Sequence, residues 1–158
     1  MTRLNGWESL VEGCATPEGT RRFRKRFAKT QPDHFYRTIA DGPLVSSLGL
    51  GTYLGECDDS EDARYTTTVS VALQKGVNLL DTAINYRCQR SERAIGEALR
   101  KMIVGGSVKR EEVVVCTKGG YIPLEKLPPT TKEAYREFLD AENARRAIRI
   151  DISRRYHA

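Results

Sequence analysis

The apolar residues of this chain recur with two different periods. In "DDSEDARYTTTVSVALQKG", Asp58 to Gly76, the residues Ala63, Val69, Ala72 and Leu73 share one helical face, behind acidic residues that suit a helix start and ahead of a Lys75-Gly76 stop. The next run, "VNLLDTA", is short and continuously apolar and predicts a buried strand, followed by the loop "INYRCQR". Helical spacing returns in "SERAIGEALRKMIVGG", with Ala94, Ile95, Ala98, Leu99 and Met102 facing inward and Ser91 expected as the cap. "REEVVVCTKGG" predicts a third strand, apolar from Val113 to Cys116 without alternation, the pattern of a strand covered on both faces. Upstream, Asp41-Gly42 between extended runs predicts a hairpin, and Val45 to Thr52 a strand that continues inward. From Met1 to about Gln31 the chain is polar and partly helical, with Thr16 before Pro17 marking a helix start.

A hairpin followed by strand, helix, strand, helix, strand with short connections folds as right-handed βαβ units around a parallel sheet. Asp81 then ends the second parallel strand and Lys118 the third. On neighbouring strands, about 4.8 Å apart, both side chains leave one rim and can pair. Tyr86 lies in the loop leaving that rim and can fold back over the pair. A cation beside a phenol favours its ionised form and makes the hydroxyl a usable proton donor. Carbonyl reduction needs such a donor, because oxygen gathers negative charge as hydride reaches carbon. The same three positions also suit a plain structural role: a loop-capping Asp81, a packed Tyr86 and a solvated Lys118.

Composition narrows the field. At 158 residues the chain has room for one domain with a sizeable core, and 39% hydrophobic with 30% charged residues describes a globular protein. No window approaches the roughly 18 apolar residues of a membrane span, so no membrane partner is expected. Glu8, Glu12 and Glu18 without an apolar stretch fit neither a secretory nor a transit peptide, and a cytoplasmic location is expected. The four cysteines, Cys14, Cys57, Cys88 and Cys116, lack C-x-x-C spacing, so reduced thiols and no metal site are expected. The net charge of +5 is concentrated in "TRRFRKRFAK", where Arg21, Arg22, Arg24, Lys25, Arg26 and Lys29 surround Phe23 and Phe27. The two rings, four residues apart, share a helical face. That predicts a surface helix docked by its aromatic stripe, with nucleic-acid binding as the lesser alternative.

"GLGTYLG", "GVNLLDTAINYRCQRSERAIGEAL" and "EEVVVCTKGGY" occur in the order and at the intervals of one family. Together, from about Asp41 to Pro123, they resemble the opening third of an aldo-keto reductase barrel, most closely the bacterial type with an extended N-terminus. The resemblance implies a (β/α)₈ fold and NADPH-dependent reduction of aldehydes and ketones, with NADP(H) as cofactor and a small carbonyl compound as substrate. By it Asp81, Tyr86 and Lys118 match three members of the family's catalytic tetrad. Gly51, Thr52 and Tyr53 match the loop that approaches the nicotinamide, and Asp81 belongs with them in the cofactor set. Gly49 and Gly51 begin a G-x-G, but the next glycine is Gly55, so the dinucleotide fingerprint of an open doubly wound sheet fails by one position.

A whole barrel takes about 250 residues, and the expected fold is therefore α/β, a partial (β/α)₈ TIM barrel. It comprises an N-terminal hairpin plus about three parallel βα units and is apparently truncated. The expected divisions are a polar, helical extension over 1–34, the barrel part over 35–124, and a helical basic tail over 125–158. The family's fourth tetrad member is a histidine. His34 precedes the barrel, and His157 follows "IRIDISRRY", whose Arg154 and Arg155 do not suit a buried strand. The functional expectation is a reductase fragment not active alone. The alternative is a non-catalytic half-barrel that binds a partner chain, such as its own complementary part.

Overall fold

Thr16 starts the first helix. Its Oγ1 accepts the Gly19 amide at 2.9 Å, Pro17 takes the first helical position, and α1 runs Pro17–Arg26. The computed structural model describes residues 11–120, 124, 127 and 129–155, the stretch 145–155 by backbone alone. The chain forms two units, Met1–Pro123 and Leu124–Ala158.

In the first unit α1 docks as its aromatic stripe predicts. Phe23 is fully buried, with Phe27 at 5.0 Å between ring centroids. The helix lies against the 3₁₀ turn Arg110–Glu112 so closely that a Cβ on Gly19 would stand 2.2 Å from the Glu111 carbonyl oxygen, and only glycine fits there. Two of its arginines are committed to that turn: Arg22 pairs with Glu111 at 2.6 Å and Arg26 with the buried Glu112 at 2.8 Å.

A hairpin follows, β1 (Tyr36–Thr38) antiparallel to β2 (Leu44–Ser46), with Arg37 opposite Val45. Its turn closes through the Gly42 amide on the Ile39 carbonyl at 2.9 Å, with Ala40 rather than glycine in the left-handed region at φ 47°. The expected continuous strand from Val45 to Thr52 is broken. The Ser46 hydroxyl accepts the Asn78 amide at 3.1 Å and donates to the Leu48 carbonyl at 2.6 Å, and this bends the chain out of the hairpin. It resumes as β3 (Gly49–Gly51) in a separate parallel sheet.

That sheet has the order β3-β4-β5, with β4 at Leu79–Asp81 and β5 at Val114–Cys116. The crossovers are α2 (Asp59–Gln74), capped by the Asp58 carboxylate on the Glu61 amide at 2.8 Å, and α3 (Arg90–Val104). Helix α2 stops at Lys75, with Gly76 at φ +89° supplying the left-handed turn. Val69 and Leu73 are buried as expected, whereas Ala63 is exposed. All five inward positions of α3 are buried and, except for Ala94, join Phe23, Tyr36, Val69, Leu73, Leu80, Val108 and Val113 in one core. Ser91 is not the cap. Gln89, at φ 69°, holds that position, and the buried Ser91 hydroxyl donates to the Thr52 carbonyl at 2.6 Å, fastening α3 to the end of β3. The expectation of β5 covered on both faces also fails: Val113 is buried, Val114 and Val115 are half-buried and Cys116 is exposed, and among the described residues β5 pairs on one side only.

The second unit contains α4 (Lys132–Arg155). The backbone stays helical through Arg155, so Ile148–Ile152 is not a strand; His157 lies outside the described residues.

Tyr36 offers a direct check on the packing between the hairpin and the end of α2. Its hydroxyl donates to the Gly76 carbonyl at 2.7 Å, and burial pushes its pKa up to about 12, against the opposing pull of Arg26 and Arg24. A folded-state pKa above the ordinary 10.0 means the neutral phenol's contribution is complete below that value and is lost as pH rises through about 12. Phenolate absorbance should therefore show Tyr36 titrating late and together with unfolding. Its share of the late phase should be missing in Tyr36→Phe.

Candidate functional site

The parallel register gathers three strand ends on one rim. Gly51 stands opposite Asp81, and Asp81 opposite Cys116. The ladder continues past the strands through the Thr52 amide on the Asp81 carbonyl at 3.1 Å, Thr82 on Cys116 at 2.8 Å and Ile84 on Lys118 at 3.2 Å. Lys118, two residues beyond β5, is thereby held level with the end of β4.

Its ammonium is the centre of the site. Nζ donates to Asp81 Oδ1 at 2.7 Å and Oδ2 at 2.8 Å, to the Thr82 carbonyl at 2.9 Å and to the Tyr86 hydroxyl at 3.3 Å. It also lies 4.9 Å from the Tyr86 ring centroid. Carboxylate, ammonium and phenol therefore converge, as the strand ends predict. The cluster is wet, since the side chains of Lys118 and Asp81 are 49% and 46% exposed, so the ion pair adds little to stability.

Hydrogen bonding to Asp81 and, after a smaller opposing desolvation, to Tyr86 raises the Lys118 pKa above its ordinary 10.5. The ion pair is complete below that ordinary value and is lost only as pH climbs through the raised one. Lys118 followed by NMR of its side-chain nitrogen should hold its proton past pH 10.5, and Asp81→Asn should remove most of the upward shift.

The loop carrying Tyr86 is held by residues that pattern reading missed. Arg87, Cys88 and Gln89 occupy the left-handed region in succession, at φ 48°, 55° and 69°, each costing roughly 1–2 kcal/mol for a non-glycine residue. Arg87 offsets this. Its buried guanidinium donates to the Glu56 carbonyl at 2.9 Å, pairs with Asp62 at 2.7 Å and stacks 4.9 Å from the Tyr65 ring centroid. Arg90 reinforces it through Asp62 at 2.8 Å and through Asp59. Beneath this clamp the Cys57 and Cys88 sulfurs lie 3.6 Å apart. Without a C-x-x-C spacing, no local signal announces that pair.

The residues expected to face a nicotinamide divide. Gly51 has open space where a side chain would project, and Tyr53 exposes its ring, edge-on to Tyr86 at 5.0 Å between centroids. Thr52 is fully buried, and its amide and hydroxyl both donate to the Asp81 carbonyl, at 3.1 Å each, while its own carbonyl accepts Ser91. Its polar groups hold β3 to β4 and α3.

Parallel βα units with polar chemistry gathered at the C-terminal ends of their strands define part of a (β/α)₈ barrel. A sequence model of the aldo/keto reductase family matches residues 47–152, and the chain belongs to that family. It is 36% identical over 87 residues to aldo-keto reductase family 1 member D1 of Mus musculus, a match covering 54% of this chain and 25% of that protein. It is 30% identical over 80 residues to estradiol 17 beta-dehydrogenase 5 of the same organism, covering 51% and 23%. An uncharacterized oxidoreductase of Schizosaccharomyces pombe is 31% identical over 124 residues, covering 74% of this chain and 34% of that protein. The matches thus take in between 23% and 34% of these relatives' lengths. No helix among the described residues is long and apolar enough to cross a membrane.

Proposed function

We propose that the rim formed by Asp81, Tyr86 and Lys118 takes part in NADP(H)-dependent reduction of aldehydes or ketones, in a cytoplasmic setting. The observation that carries the reading is the single ammonium bonded at once to the Asp81 carboxylate and the Tyr86 hydroxyl. In that role Tyr86 gives its proton to the carbonyl oxygen as negative charge builds there, Lys118 stabilises the phenolate left behind, and Asp81 holds Lys118 in place. A reduced nicotinamide supplies the hydride. The open space at Gly51 and the exposed Tyr53 ring fit a flat heterocycle beside Tyr86. Membership of a family whose relatives are named as reductases and dehydrogenases supports the same reading.

The described residues supply one wall of such a site. The free sides of β3 and β5 among the described residues favour a second, compatible reading, in which another polypeptide completes the barrel along those edges. Grafting residues 47–120 into the matching stretch of a full-length relative, and following NADPH oxidation with a panel of aldehydes and ketones, tests the first reading. A folded chimaera without any rate would overturn it. Co-purification of a stoichiometric second chain tests the second.

A further inference from the structure

The cysteine pair beneath the Tyr86 loop lies outside the proposed carbonyl chemistry and has a geometry of its own. Cys57 sits in the loop between β3 and α2, half-buried; Cys88 sits in the loop between β4 and α3, buried. Their sulfurs, 3.6 Å apart, need to close by only about 1.5 Å to reach bonding distance. The two loops are already tied beside the pair by Arg87, which donates to the Glu56 carbonyl at 2.9 Å. Cys57 lies in irregular backbone that can make this movement, whereas Cys88 is fixed between two further left-handed residues.

We propose that Cys57 and Cys88 form a redox-active dithiol that reacts with low-molecular-weight disulfides and closes to an intramolecular disulfide locking the Tyr86 loop to the loop after β3. The Cys57 thiolate, the more accessible of the two, attacks one sulfur of the disulfide RSSR. A mixed Cys57–S–SR bond forms and RS⁻ leaves, taking up a proton. Cys88 then gives its proton to solvent, and its thiolate attacks Cys57 Sγ, forming the Cys57–Cys88 bond and expelling the second RS⁻. Two protein thiols lose two hydrogens in all, and RSSR is reduced to two RSH. A large excess of reduced thiol reverses the sequence.

The test uses the full chain carrying Cys14→Ser and Cys116→Ser, which removes the two exposed thiols. It is incubated folded with glutathione disulfide, quenched in acid, labelled with maleimide in denaturant and weighed. The expected product is lighter by two hydrogens, takes no maleimide and yields a Cys57–Cys88 linked peptide. Amide exchange across residues 84–90 should slow about tenfold in that product. In Cys57→Ser, Cys88 should react with the disulfide at least about tenfold more slowly than Cys57 does in the intact pair. Full maleimide labelling, or a mixed disulfide on Cys57 that never resolves, would overturn the proposal. So would equal rates for the two sulfurs, or a closed disulfide that leaves exchange in the Tyr86 loop unchanged. None of these readouts depends on carbonyl reduction.

Discussion

Tyr86→Phe is expected to lower the rate of carbonyl reduction by about 10²–10⁴-fold, the range that a positioned general acid supplies. The substitution is narrow. Phenylalanine keeps the ring that meets Tyr53 edge-on at 5.0 Å and that lies 4.9 Å from the Lys118 ammonium, so the loop and its packing are retained. Only the hydroxyl, 3.3 Å from Nζ, is lost. The loss should therefore appear in kcat with KM little changed, since the missing interaction is made with the oxygen only as it becomes charged. The measurement is steady-state NADPH oxidation over a range of substrate concentrations by the chimaera carrying residues 47–120, compared with the same chimaera bearing the substitution. Lys118→Met provides the control in the other direction. It leaves the hydroxyl but removes the cation, and it should also be slow, because nothing then stabilises the phenolate. A Tyr86→Phe variant within about threefold of the parent would show that the proton comes from elsewhere and would leave the convergence on Lys118 as a structural ion pair.

The rim was legible in the sequence because a parallel strand announces itself twice, by an uninterrupted apolar run and by the polar residue at which the run stops. Leu79 to Asp81 and Val113 to Lys118 both read this way, and the alternation with α2 and α3 put their ends on the same side. The three matched motifs then fixed the family. Contacts made across long stretches of chain were not legible. Ser91 has the chemistry of a helix cap, but its hydroxyl is used by Thr52, 39 residues away in sequence, and the cap falls on a glutamine in a left-handed turn. Cys57 and Cys88 are separated by 31 residues and meet where Arg87 ties their loops together. The strand expected from Val45 to Thr52 breaks for the same kind of reason: one of its polar residues, Ser46, bonds a backbone amide that the local pattern cannot show.

That amide belongs to Asn78, and Asn78→Ala is expected to destabilise the first unit by about 3–5 kcal/mol. Asn78 is fully buried. Its Oδ1 accepts the Ser46 amide at 2.8 Å, and its Nδ2 donates to the Leu44 carbonyl at 2.9 Å and the Glu112 carbonyl at 3.2 Å. One side chain thus satisfies three backbone groups belonging to the hairpin and to the turn that precedes β5. Alanine leaves all three without that partner in a space no larger than the amide it replaces, at roughly 1–3 kcal/mol for each group that water cannot reach. Asn78→Asp keeps the acceptor for Ser46 but turns a second oxygen toward two carbonyls and buries a charge, so it should be no better than alanine. The loss is large beside the roughly 5–15 kcal/mol that stabilises a typical domain. It should lower the urea midpoint with the m-value unchanged, and a loss under about 1 kcal/mol would mean that water replaces the amide. The effect should also reach the rim. Asn78 lies three residues before Asp81 and joins β4 to the segments that lead into β3 and β5, so a chain that survives the substitution should show a weakened Asp81–Lys118 pair and a smaller upward shift of the Lys118 pKa.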